Sequence, residues 1–215
     1  MDELLGRRFA GLAFGPAARV YEALTGSPAW SLSRRRLAEL VPGPRVLDLG
    51  VGPGASSLEG ARADPRRRAV GLDRSATMLR RAARLSARQG RPMPLLRADA
   101  QVLPIRTGAL DGVTGHSLLY LLPDPAAALA EVARAVRAGG RVAFLEPSGG
   151  HHSLRAALAD GPLLAASMVM WRVMSGLHRR FTAEELGGLL RGAGFREVRV
   201  EATLAGYGLM ADATR

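Results

Sequence analysis

Cysteine is absent from the 215 residues. That excludes disulfides, thiolate metal sites and cysteine nucleophiles together. Lysine is absent as well, so all 30 basic residues are arginine; against 19 acidic residues they leave a net charge of +11. In so Ala/Gly-rich a chain this reads first as compositional bias, with an anionic partner as the alternative. Aromatics are scarce at 5%, and no dense aromatic-basic motif or appended RNA module accompanies the arginines, so a nucleic-acid partner is not expected. There is no long apolar run. The stretch Gly161 to Trp171, bounded by Asp160 and Arg172, is too short to cross a bilayer, which takes roughly 18 residues or more; it suits a membrane surface or an apolar pocket. The start, Met1-Asp2-Glu3, is acidic and Arg7-Arg8 interrupt the first apolar stretch, a poor signal peptide. A cytoplasmic chain is the expectation.

What is present is a globular composition, 47% hydrophobic and 23% charged, long enough to bury a core unaided. Residues 2 to 40 read as helical, broken at Gly15-Pro16 and Gly26-Ser27-Pro28. Strands then alternate with helices. Arg45 to Gly50, Ala69 to Asp73, Pro94 to Ala98, Gly112 to Leu118 and Arg141 to Leu145 read as strands. Ala55 to Ala63, Ser75 to Gln89 and Asp124 to Arg137 read as helices, the last stopped at Gly139-Gly140. That rhythm means a parallel sheet covered on both faces. Residues 148 to 180 hold only helix-like runs. Thr182 and Glu185 form a capping-box pair opening another helix, stopped by Gly192 and Gly194. Phe195 to Glu201 and Leu204 to Ala211 are too close for a parallel crossover, so the last strand is expected to run antiparallel.

The chemistry gathers at the strand ends. Asp48-Leu49-Gly50-Val51-Gly52-Pro53-Gly54 lies between a strand and a helix, where glycines let a ligand approach the backbone. Asp73 ends the next strand and suits ribose hydroxyls; Asp99 follows the third and suits an adenine amino group. A dinucleotide enzyme tolerates this loop too, with Arg74 to meet a 2′-phosphate. Asp48 favours instead a ligand carrying an ammonium or sulfonium.

The ordered set Val46-Leu47-Asp48-Leu49-Gly50-Val51-Gly52-Pro53-Gly54, Val70-Gly71-Leu72-Asp73-Arg74-Ser75, Arg97-Ala98-Asp99-Ala100, Leu110-Asp111-Gly112-Val113, Leu119-Tyr120-Leu121-Leu122-Pro123-Asp124 and Gly192-Ala193-Gly194-Phe195 resembles class I S-adenosylmethionine-dependent methyltransferases. The similarity is to the branch holding quinone C-methyltransferases, phospholipid N-methyltransferases and small-molecule enzymes; Val20-Tyr21-Glu22 resembles its N-terminal Tyr-Asp. The resemblance implies a doubly wound, mostly parallel seven-stranded α/β sheet with an antiparallel last strand, the Rossmann-like methyltransferase fold. It implies one domain over 1–215: a helical lid (1–40), a cofactor-binding core (41–147), a helical cap inserted after strand five (148–180) and a C-terminal helix and hairpin (181–215). For S-adenosylmethionine it implies a site of Asp48, Gly50, Gly52, Gly54, Asp73, Arg74, Asp99 and Ala100. Asp48 would hold the ammonium through water, Asp73 the ribose, and Asp99 with the Ala100 amide the adenine.

The acceptor is the less constrained half. Tyr21, His116, Tyr120, His151, Met170, Trp171 and Met174 are the expected pocket residues. His116 is the candidate base and, by preference, a pocket wall, since an activated methyl needs a base only when the nucleophile is protonated. The insert Leu163 to Met174 is apolar round most of a helix, so burial in the core is expected, with Met and Trp as an adaptable lining. These features point to a small, apolar or aromatic acceptor, with no metal. A membrane lipid or quinone methyltransferase drawn to anionic lipid by arginine, an RNA methyltransferase, a nicotinamide-dependent oxidoreductase and a non-catalytic adenosyl-binding subunit are the alternatives.

Overall fold

The computed structural model describes residues 26–215. Seven strands, β1 (Arg45–Leu49), β2 (Arg68–Asp73), β3 (Leu95–Arg97), β4 (Leu110–His116), β5 (Val136–Pro147), β6 (Arg196–Thr203) and β7 (Gly208–Thr214), form one sheet ordered β3-β2-β1-β4-β5-β7-β6. β3, β2, β1, β4 and β5 are mutually parallel. β7 runs antiparallel to both β5 and β6, as the short hairpin link requires. The chain winds outward from β1 to β3 and returns to β4 beside β1. This switch point opens a crevice at the strands' carboxyl ends, where open α/β sheets take ligands.

Seven α-helices cover the described part of the sheet: α1 (Pro28–Glu39), α2 (Ala55–Ala63), α3 (Ala76–Arg88), α4 (Pro125–Ala135), α5 (Leu154–Ala159), α6 (Pro162–Gly176) and α7 (Ala183–Gly192). Their starts are written locally. Ser75 Oγ accepts from the Met78 amide and Asp124 from the Ala127 amide, with Pro125 in the first turn. Thr182 and Glu185 close the expected capping box at 3.1 and 2.7 Å. Alternation along the strands sends side chains to two cores. Val142 and Phe144 of β5 join Leu47, Leu49, Leu129 and Leu186 on one face. Ala143 and Leu145 join Trp30, Leu37, Leu164, Met168 and Trp171 on the other.

Several boundaries differ from expectation. β4 begins at Leu110 and ends at His116, not Gly112 to Leu118; Ser117 takes a positive φ of 57° and Leu119–Leu121 form a 3-10 turn. Helix α4 stops at Ala135, before Gly139-Gly140. Those glycines lie in a bulge of β5, where pairing jumps from Leu110↔Val136 to Gly112↔Arg141. Gly139, at φ 72°, makes the detour that only the sheet register demands. Leu204–Gly206 is a 3-10 turn, so β7 starts at Gly208. The expected burial of the insert holds for one side of α6 only: Leu164, Met168 and Trp171 are buried, while Leu163, Val169 and Val173 are exposed. Among the described residues no helix is long and apolar enough to cross a membrane.

Candidate active site

The glycine loop follows β1. Gly50, Gly52 and Gly54 all have positive φ, at 68°, 53° and 95°. Gly52 is the informative one. A Cβ there would meet nothing closer than the Gly50 carbonyl at 3.9 Å, so open space lies against the backbone and a ligand can approach it. The Gly52 amide donates to Asp73 Oδ2 at 3.0 Å, and Asp73 Oδ1 accepts from the Ser75 amide at 2.8 Å. Burial raises the Asp73 carboxyl above its ordinary range, against the pull of those two amides and of Arg74. An open backbone cradle with an acid at its edge fits an adenosyl ligand bearing hydroxyls.

Asp48 sits on the other side of β1 from Leu47 and Leu49. It is buried; its carboxylate accepts from the hydroxyls of Ser57 on α2 and Thr114 on β4. Burial pushes it up to about 6, opposed by those hydroxyls and by Arg67. With Arg34, Arg67 and Thr114 it lines a cavity of about 10 Å³, room for about one water. Asp99 is exposed after β3 and caps the turn through the Gln101 amide at 2.9 Å; Ala100 is buried and Arg74 exposed.

His116 ends β4. Its ring lies 5.3 Å from that of Trp30, which lies 5.1 Å edge-on from Trp171. His116 Nδ1 meets Ser117 Oγ at 3.2 Å, while Nε2 is buried without a hydrogen-bond partner among the described residues. Burial, then the charge of Arg34, lowers the imidazole to about 3, so it is neutral near pH 7. Trp171 Nε1 is likewise buried and unpartnered. Thus β4, α1 and α6 bring His116 and Trp171 together through Trp30, a residue that sequence reasoning missed. Its signal was there: it is one of only two tryptophans. Trp30 is held by its own Nε1–H, which donates to Ser167 Oγ at 2.9 Å.

The other expected pocket residues are more dispersed. Tyr120 packs against the opposite core, its ring 6.0 Å from His178. Met170 and Met174 are half-buried on α6 and His151 is exposed. Tyr21 lies outside the described residues. A second residue whose role the sequence did not show is Glu146 near the end of β5. Wholly buried, it accepts from the amides of Leu118, Leu119 and Tyr120 at 3.0, 2.9 and 3.2 Å. Burial raises it to about 7 against these three donors. It holds the turn that follows His116, and so shapes the crevice without facing it. Nothing in its sequence context announces this, because the donors lie 26 to 28 residues away. Among the described residues no three His, Asp or Glu side chains gather as a metal would need.

A family pattern described as a methyltransferase domain matches residues 46–140. The chain is 31% identical over 173 residues to a ubiquinone/menaquinone biosynthesis C-methyltransferase of Desulfotalea psychrophila, covering 75% of this chain and 70% of that one. It is 30% identical over 212 residues to an aklanonic acid methyltransferase of a Streptomyces strain, covering 90% and 94%. Of several further relatives the match spans only 31–48% of their length. In fold it is similar to a SAM-dependent methyltransferase of Thermotoga maritima, with a TM-score of 0.65, 21% identity and coverage of 92% and 94%. The glycine cradle, its acids and these relatives agree: the chain belongs to the class I S-adenosylmethionine-dependent methyltransferases.

Proposed function

We propose that this methyltransferase acts on a small, apolar or aromatic acceptor, by in-line displacement at the mouth of β4 and β5. Bound at the glycine loop, S-adenosylmethionine supplies a methyl group already activated by its sulfonium. The chain then has to align the acceptor and exclude water. In this reading Gly50, Gly52, Gly54, Asp73, Arg74, Asp99 and Ala100 hold the cofactor, with Asp73 accepting from ribose hydroxyls and Asp99 from adenine. Asp48 acts at one remove, its buried charge favouring a cationic group nearby.

The observation that carries the acceptor reading is the pair of buried, unpartnered nitrogens, His116 Nε2 and Trp171 Nε1, flanking the Trp30 ring. A buried polar atom without a partner is costly. An aromatic acceptor carrying an oxygen satisfies both while its ring lies among the indoles. Met170 and Met174 extend the lining, Tyr21, Tyr120 and His151 are its outer candidates, and His116 serves as a wall. Residues 1–40 act as the lid and 148–180 as the cap of a single domain over 1–215, working in the cytoplasm. The test is a labelled-methyl assay on extract fractions with wild type and Trp171→Phe. Label should appear in a small-molecule fraction, and the variant, which keeps a ring but loses the N–H, should raise KM and leave cofactor affinity alone. Label confined to RNA or protein would sink the proposal.

A membrane quinone or lipid is the second reading. It is supported by the Desulfotalea psychrophila relative, whose name places it in quinone biosynthesis.

A further inference from the structure

Helix α6 has two unlike faces. Leu164, Met168, Trp171 and Ser175 point into the core. The opposite face carries Leu163 (42% exposed), Val169 (45%) and Val173 (62%), with Leu177 (60%) at the helix end and exposed Ala166 among them. Met170 and Met174 flank it, half-buried. Its polar residues lie elsewhere: Ser167 and Ser175 are buried, and Arg172 is turned to the Ser148 carbonyl at 2.8 Å. The adjoining α5 exposes Leu154 and Leu158, four residues apart. Among the described residues, six of the nine exposed large hydrophobic side chains thus fall between 154 and 177. A solvent-facing helix in a chain that is 23% charged ordinarily shows water a polar face; so concentrated an apolar surface is a contact surface.

The surrounding charge is mainly positive, with Glu185 of α7 the acid that acts on Arg179. Between 148 and 181 the chain carries Arg155, Arg172, Arg179 and Arg180 against the single acid Asp160. Arg172 and Arg180 bond backbone carbonyls within the cap. Arg155 and Arg179 are exposed, one on α5 and one just beyond α6. We propose that the α5–α6 cap docks on an anionic lipid bilayer, with Leu163, Val169, Val173 and Leu177 in the headgroup–acyl boundary and Arg155 and Arg179 at lipid phosphates. The outward side chains of α6 have no hydrogen-bonding group with which to match a polar protein surface, and the flanking arginines complement anionic headgroups. Fifteen residues in α6 are too few to span a membrane, so the helix lies along it. Docking on this face does not depend on which acceptor is methylated.

The experiment is vesicle flotation with the full-length chain, using phosphatidylcholine alone and phosphatidylcholine with phosphatidylglycerol. Wild type should float with the anionic vesicles and much less with the neutral ones, with binding reduced by salt. Val173→Glu combined with Leu177→Glu should bind anionic vesicles at least tenfold more weakly, with Tm and S-adenosylmethionine affinity unchanged, since both side chains are exposed. Arg155→Gln with Arg179→Gln should narrow the difference between the two vesicle types. Independently of any variant, vesicles should slow hydrogen exchange across residues 154–177. Failure of the wild type to bind anionic vesicles, unaltered binding by the glutamate variant, or unchanged exchange in α5–α6 overturns the proposal. So does a dimer that the glutamate variant splits while no vesicle binding is seen, which would assign this face to a second copy of the chain.

Discussion

The amide of Gly52 and the carboxylate of Asp73 are hydrogen-bonded at 3.0 Å, which ties the loop after β1 to the end of β2. The cradle and the acid at its edge are therefore one unit. Asp73→Ala should weaken S-adenosylmethionine binding by about 1.5–3 kcal/mol, because bonds to a charged acceptor are lost and the loop loses its anchor. Calorimetry checks this; unchanged affinity would remove Asp73 from the cofactor site.

Asp48 adds a pH dependence. Its carboxyl, raised to about 6 by burial, is ionised near neutrality and protonated below that value. The attraction it offers a cationic ligand group is thus present above about pH 6 and lost as pH falls. Cofactor affinity should drop between pH 7.5 and 5 in the wild type and drop less in Asp48→Asn. Parallel titrations with equal slopes would leave Asp48 a purely structural residue.

Glu146 governs stability with a definite sign. Its carboxyl is raised from an ordinary value of 4.5 to about 7 in the folded chain. Between those values the folded chain keeps a proton that the unfolded chain has lost. Its contribution is therefore fully present below about 4.5 and lost as pH rises through about 7. Asp48, raised from 3.8 to about 6, acts in the same direction. Urea unfolding should show a lower midpoint at pH 8 than at pH 5. Glu146→Gln should flatten that difference while lowering stability at both, since its amide N–H₂ would face a backbone donor.

His116 tests the wall against the base. With its imidazole lowered to about 3, no rate limb near pH 6.5 should belong to it. His116→Gln should retain much of kcat with the pH profile unmoved. A fall of roughly 10²–10⁴-fold, with the loss of one limb, would make it the base instead.

Trp30→Ala should disturb the acceptor side alone. Trp30 contacts both His116 and Trp171, and neither is part of the glycine cradle. We expect loss of stability of about 3–5 kcal/mol for so large a buried side chain and a raised acceptor KM, with cofactor affinity kept in the fraction that folds. Equal loss of cofactor binding would show that α1 supports both sites.

The alternation of strands and helices along the chain, the antiparallel last strand, the capping box of Thr182 and Glu185 and the loop from Asp48 to Gly54 were legible from residue order. Each rests on near neighbours: an alternation, a cap three residues away, a glycine at a turn. Those interactions are decided over a few bonds, and the sequence by itself determines them. Tertiary structure alone decided the rest. Trp30 reaches Ser167 across 137 residues, Glu146 holds the amides of Leu118 to Tyr120, Gly139 bulges β5 instead of stopping α4, and α6 buries one side and bares the other. A buried carboxylate or an indole takes whichever partner the packed sheet and helices bring within about 3 Å. That proximity exists only once non-local burial has fixed every element against the others.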